Sequence, residues 1–335
     1  AFGHMLALAQ GSSDWFHPSF WGQHPDLDAL LPYWLGAWSI QLAPSWISAG
    51  LASRLPFALL LALTMTATWH AAYYLALSPQ AQPVRFAFGG EAKPKDYARA
   101  IADGACLGLA LLSHEASPVL AQLSLVSLGF YGVSALPYHP RYSFIALSFS
   151  LIGLCLSGGP SFAILIAIGS AFLYLIDRHS YSTGMRLQHC IGLLICGCSV
   201  AGLAYAMDIL HWRIALPSAS WTEWRSHIRL LAWFTWPTWP LVFWTLWRWR
   251  RQWASRNWSR HLVLPIWFAG LAILASILTP SPQQTLLLSL PSMATLAAFA
   301  LPTMRRSVTA LIDWFALLFF SFCAVAIWVV WLAMQ

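Results

Sequence analysis

Apolar and polar positions alternate in long blocks along this chain. Mostly apolar runs cover residues 47–77, 100–112, 119–136, 143–156, 161–176, 187–207, 230–247, 261–278, 285–301 and 308–334. Each is far longer than a buried strand, and none shows the strict two-residue alternation of a membrane barrel strand. Stretches of about 20 apolar residues have the length of a bilayer-crossing helix. The pattern predicts an all-α fold: a polytopic transmembrane bundle of about ten spans. It divides the chain into residues 1–46, a juxtamembrane loop, and residues 47–335, the helical membrane domain. Short polar turns join several runs into hairpins, notably Ser157-Gly158-Gly159-Pro160 and residues 279–284.

Composition agrees. Hydrophobic residues make up 59% of the 335 residues and charged residues 9%, with mean hydropathy +0.63. A soluble domain carries roughly 25% charged residues, so this chain could not cover itself in water. The six cysteines lie in or beside apolar runs, and Cys196-Gly-Cys198 is too tight for a zinc site. They read as small apolar helix residues. The net charge of +7 calls for no nucleic acid, because the basic residues fall in short loops. The chain begins with Ala1, and its apolar start is too short for a signal peptide; we expect residues upstream of it.

Charge gives the bundle a direction. Fourteen of the 18 lysines and arginines, among them Lys93, Arg141, Arg186, Arg248 and Arg306, fall in one alternate set of loops. Only Arg54, Arg213, Arg225 and Arg229 fall in the other. The positive-inside rule puts the first set in the cytoplasm. The opening segment, the turn 113–118, the Gly158-Gly159 turn, the segment 208–229 and the turn 279–284 then all face away from it. Every chemically suggestive segment is on that side.

The chemistry is concentrated in residues 11–36, GSSDWFHPSFWGQHPDLDALLPYWLG. Asp14, His17, His24, Asp26 and Asp28 fall within fifteen residues, of 11 acidic groups in all. Trp15, Phe16, Phe20, Trp21, Trp34 and Trp38 suit the headgroup level. His24 and Asp26 are candidate ligands for a divalent metal, since imidazole and carboxylate suit Zn²⁺ or Mn²⁺, although no His-x-x-x-His spacing supports them. Asp28 is either a site acid or the cap of the helix through Tyr33 and Trp34. His114 and Glu115 form an ionisable pair at a hairpin tip, a functional signal in a membrane protein or a polar turn before Pro118. Arg54, placed a turn or two inside its helix, either snorkels to headgroups or meets an anion. Arg225, flanked by Trp221 and Trp224, is an interfacial anchor or a substrate contact.

The order of these pieces resembles the C-type glycosyltransferases. These are integral membrane enzymes that use polyprenyl-phosphate sugars, and include lipid A aminoarabinose transferase and protein O-mannosyltransferases. Gly11-Ser-Ser-Asp14-Trp15-Phe-His17-Pro18, then Trp21-Gly22, then Leu31-Pro-Tyr33-Trp34-Leu35, is similar to their first extracytoplasmic loop. Ala52-Ser-Arg54-Leu-Pro56 is similar to their "ARLP" helix start, Leu156-Ser-Gly-Gly-Pro160 to their "LTKGP" turn, and Thr285 to Pro291 to a late "YLLPxxP" run. The chain departs from the pattern in having Gly158 where that turn has lysine, and no lysine near Asp28. The family's acidic pair would fall just before Ala1.

The resemblance implies an enzyme of a bacterial-type inner membrane. It would move a sugar from a polyprenyl-phosphate donor to a lipid, glycan or protein acceptor, among membrane lipids and without nucleic acid. Glu115, Asp14 and Asp28 would be the catalytic carboxylates. Arg54, His17, His24, Tyr33, His114, Gly159 and Arg225 would bind substrate. The competing expectations are a transporter or flippase for a lipid-linked substrate, and an inactive homologue. A transporter tends to carry broken helices at the bilayer midplane, whereas the polar groups here gather at one face.

Overall fold

The computed structural model describes residues 1–23, 28–78, 81, 93–99, 116–176, 183–209, 220–250, 259–279, 281–304 and 306–333. Among these the chain is helical throughout, and four helices are long and apolar enough to cross a membrane: Ala49–Ala76, Pro118–Ala135, Gly184–Ala206 and Arg260–Leu278. Shorter apolar helices cover Pro140–Leu156, Pro160–Ile176, Leu290–Thr303 and Leu317–Leu332. The membrane character of the chain is therefore clear, and four of the roughly ten expected spans are of full length among the described residues. The expected run 100–112 lies outside the described residues.

We number the helices α1 (Phe2–Ala9), α2 (Leu31–Leu42), α3 (Ala49–Ala52), α4 (Leu55–Ala76), α5 (Pro94–Arg99), α6 (Pro118–Ala135), α7 (Pro140–Leu156), α8 (Pro160–Ile176), α9 (Thr183–Ala206), α10 (Trp221–Phe234), α11 (Thr238–Arg248), α12 (Arg260–Leu278), α13 (Pro282–Leu287), α14 (Leu290–Ala300) and α15 (Arg306–Ala333). Five of them, α5, α6, α7, α8 and α13, begin with proline. Proline suits a first turn, where its missing N–H would have had no partner.

Three expected runs are interrupted. Residues 47–77 break at Ser53–Arg54 between α3 and α4, and 230–247 break at Thr235–Pro237 between α10 and α11. Residues 285–301 break at Leu288–Ser289 between α13 and α14. At each break a short hydroxyl side chain bonds a carbonyl of the preceding turn: Ser53 to Gly50, Thr235 to Leu231 and Ser289 to Leu286. Such bonds compete with the next helical turn. The segment 208–229, read from sequence as polar loop, contains the start of α10.

The centre of the bundle is α6, buried almost from end to end. Small residues let α7 lie close along it. Ser150 donates to the Leu125 carbonyl at 2.6 Å, and a Cβ at Gly132 would crowd Leu147 and the Ser143 carbonyl. This is the small-residue packing by which membrane helices approach. On another side α12 runs antiparallel to α6: Arg260 at its start donates to the carbonyls of Val133 and Ser134 at the end of α6, and Phe130 meets Phe268 at 5.1 Å. By contrast α4 runs parallel to α6, since Tyr74 near its end meets Tyr131 at 6.1 Å and Tyr138 at 5.5 Å.

These pairings sort the loops into two ends. At one end Arg260 lies over the Tyr174 ring at 5.5 Å, and Tyr174 donates to Val133 at 2.7 Å. There too Trp249, His261, Phe299 and Tyr97 stack in sequence, 5.8, 5.3 and 4.9 Å apart. This end joins residues bordering the arginine-rich loops. The opposite end gathers the starts of α4, α6 and α8, the ends of α7 and α12, and the opening segment.

Candidate functional site

A cavity of about 280 Å³ opens at that second end. Its wall is built from the first turns of α6 and α8, the Gly158-Gly159 turn, the last turns of α12 and the start of α13. Ile209 just past α9 and Asp28 from the opening segment complete it. Four of the five segments that charge bias put on one side thus meet at one hollow. The fifth, 113–118, leads directly into the Val119 and Gln122 wall. Most of the lining is apolar. The polar groups are Asp28, Gln122, Ser161, Thr279, Ser281, Gln284 and Thr285.

Local structure holds Asp28, Gln122 and the two threonines in place. Asp28 has φ +51°, a left-handed conformation that aspartate tolerates better than most residues. Two residues on, the Leu30 N–H donates to the Leu156 carbonyl at 2.7 Å, tying the opening segment to the end of α7. The buried Gln122 amide donates to the Ser157 carbonyl at 2.7 Å. That bond joins the first turn of α6 to the glycine turn. Gly158 has φ +83°, where a Cβ is penalised. At Gly159 a Cβ would meet Leu154 at 3.3 Å, a tight contact to which the leucine would have to give way. Across the cavity the Thr279 and Thr285 hydroxyls are 3.0 Å apart. The N-terminal ends of α6 and α8 add the partial positive charge that favours an anion. No lysine or arginine is among the described lining residues.

The structure brings two of the expected site residues to the cavity, Asp28 and Gly159. Asp28 does not cap α2, whose N-cap position is Leu30. Asp14 and His17 form a surface hydrogen-bonded pair of their own, 3.3 Å apart, away from the cavity lining. The hydrogen bond from His17, helped by the Phe16 N–H, holds the Asp14 carboxyl below the usual carboxylate range. Tyr33 is buried, its ring 5.4 Å from His4 of α1, and so packs the opening segment. Arg54 is exposed at the turn between α3 and α4, inside the candidate span Ala49–Ala76; it sits at the cavity end without lining the cavity. Arg225 is exposed on α10, which packs on α13 beside the mouth. His24, Asp26, His114 and Glu115 lie outside the described residues. Among the described residues no three His, Cys, Asp or Glu side chains are grouped to hold a metal ion.

Sequence reading passed over Gln122, Ile209 and the Thr279–Thr285 pair. Gln122 carried a signal, being the one amide in the run 119–136; the others looked like ordinary turn and helix residues. No protein-family model matches the chain, nor does any curated protein or solved structure.

Proposed function

We propose that this chain is an integral membrane glycosyltransferase that moves a sugar from a polyprenyl-phosphate donor to a lipid, glycan or protein acceptor. The reaction takes place on the extracytoplasmic face of a bacterial-type inner membrane. The observation that carries this reading is the cavity itself, where the segments resembling the glycosyltransferase loops converge around Asp28. Asp28 accepts the proton of the acceptor hydroxyl as its oxygen bonds the anomeric carbon. The bond from that carbon to the phosphate oxygen breaks, and polyprenyl phosphate leaves. A positioned carboxylate contributes roughly 10²–10⁴-fold to such a step. The N-terminal ends of α6 and α8 stabilise the leaving phosphate. The resemblance makes Glu115, four residues before Val119 in the sequence, the second carboxylate of the reaction.

The packing of the opposite end favours a one-sided reaction over transport. There, among the described residues, Arg260 binds the end of α6 and the rings from Trp249 to Tyr97 meet one another edge-on or tilted between helices, whereas a transporter must open both ends in turn. The test is a proteoliposome assay with polyprenyl-phosphate-linked hexose or pentose. It measures release of polyprenyl phosphate and, in parallel, donor movement across the bilayer. The reading expects release with the wild-type protein and a fall of 10²-fold or more in Asp28→Asn. Donor crossing the bilayer with its sugar still attached would establish the flippase instead.

A further inference from the structure

Leu165 of α8 and Leu274 of α12 both line the cavity and are 38% and 54% exposed, and each continues an exposed stripe of its helix, with Ile168 and Phe172 on α8 and Gly270 on α12. They belong to two facing stripes. On α8, Phe162, Leu165 and Gly169 recur at helical spacing; on α12, Trp267, Leu271, Leu274 and Leu278 do the same. Where Gly169 meets Trp267 the stripes are closed, because the glycine leaves room for the indole that a Cβ would overlap. Above that contact Phe162, Leu165, Leu271, Leu274 and Leu278 no longer fill the seam between the helices but line the cavity.

We propose that the α8–α12 seam is a lateral portal, through which the hydrocarbon chain of a bilayer lipid enters the cavity. Gly169 and Trp267 form its lower limit. The proposal rests on the preceding reading only in taking this cavity as the site of reaction. The lining grades in the sense such a ligand needs. Leucine and phenylalanine stand at the seam, continuous with the lipid-facing surface, while Asp28, Gln284 and the Thr279–Thr285 pair stand where a polar headgroup would emerge. A water-soluble substrate would need no apolar wall open to the bilayer. For an amphiphile the arrangement avoids lifting the chain out of the membrane, which costs about 0.8 kcal/mol for each methylene exposed to water.

The probe is a phosphatidylglycerol with a diazirine in mid-acyl chain, carrying no sugar, in nanodiscs with the full chain. Leu154 and Ile209 line the cavity but are buried from the bundle exterior, so a lipid reaches them only through an opening. Phe172, on the same helix and 58% exposed, reports ordinary contact with lipid. Photolysis is expected to label Leu154 and Ile209 as well as Phe172. Leu165→Trp and Leu274→Trp, made separately, should each cut labelling of Leu154 and Ile209 by tenfold or more and leave Phe172 unchanged, which also shows that the variant is folded and inserted.

Wild-type labelling confined to Phe172 overturns the proposal. So does labelling of Leu154 and Ile209 that neither tryptophan reduces, since the chain would then enter elsewhere. Because the probe holds no sugar, its result is separable from donor turnover. Portal-dependent labelling without turnover sinks the glycosyltransferase reading alone, and turnover without such labelling sinks the portal alone.

Discussion

At the residue scale the cavity depends on a few positions with little freedom. Gly158 is the clearest. With φ +83°, an added Cβ costs roughly 1–2 kcal/mol, so Gly158→Ala should lower unfolding stability in detergent by about that amount. A variant as stable as wild type would mean that the turn relaxes to another conformation. Gln122 acts through a buried hydrogen bond to Ser157. Gln122→Leu keeps the bulk and leaves that carbonyl without its partner, a loss of about 1–3 kcal/mol. It should loosen the junction of α6 with the glycine turn, read as faster amide exchange at residues 157–159; unchanged exchange would contradict the role. Asp14 and Asp28 are chemically alike and structurally unlike. One is paired with His17 at the surface and the other faces the cavity. Asp14→Asn is therefore expected to retain donor turnover within a few-fold under conditions where Asp28→Asn abolishes it, and equal losses in the two would contradict this division.

At the element scale the helices follow from apolar length, and their ends from proline, glycine and hydroxyl residues. The hairpin turn between α7 and α8 was legible because Ser157-Gly158-Gly159-Pro160 combines a φ-permissive pair with a helix-starting proline. The breaks at Ser53, Thr235 and Ser289 were not. Each lies within a continuous apolar run and is followed within about three residues by a proline, Pro56, Pro237 or Pro291, whose ring disfavours the helical turn before it, a signal that hydropathy does not register. Asp28 stood out as an acid, but its position in the cavity depends on the tie between Leu30 and Leu156, a contact across 126 residues.

Arg260 shows how one element end holds others. Its guanidinium serves two carbonyls at the end of α6 and lies over Tyr174 of α8. Arg260→Leu removes charge-assisted bonds worth roughly 1.5–3 kcal/mol. Thermal unfolding should register the loss, while donor binding at the far end stays within a few-fold. A variant with wild-type stability would show the contacts to be dispensable.

At the scale of the whole molecule, two kinds of information coincide. Charge along the sequence divides the loops into a basic set and a nearly neutral set. Helix packing, which knows nothing of that bias, gathers described residues beside the basic loops at one end and residues of the other loops around a cavity at the opposite end. The functional reading needs the cavity end to face away from the cytoplasm, because polyprenyl-linked sugar transfer of the proposed kind occurs there.

Sided cysteine labelling tests that requirement most directly. In a cysteine-free background, exposed Ser19 and Ser220 lie at the cavity end, and exposed Arg141 lies in the first turn of α7 at the opposite end. A membrane-impermeant maleimide applied to intact cells should label Ser19→Cys and Ser220→Cys. It should label Arg141→Cys only after the membrane is permeabilised. Labelling of Arg141→Cys in intact cells, with Ser19→Cys and Ser220→Cys protected, would invert the molecule and contradict the account.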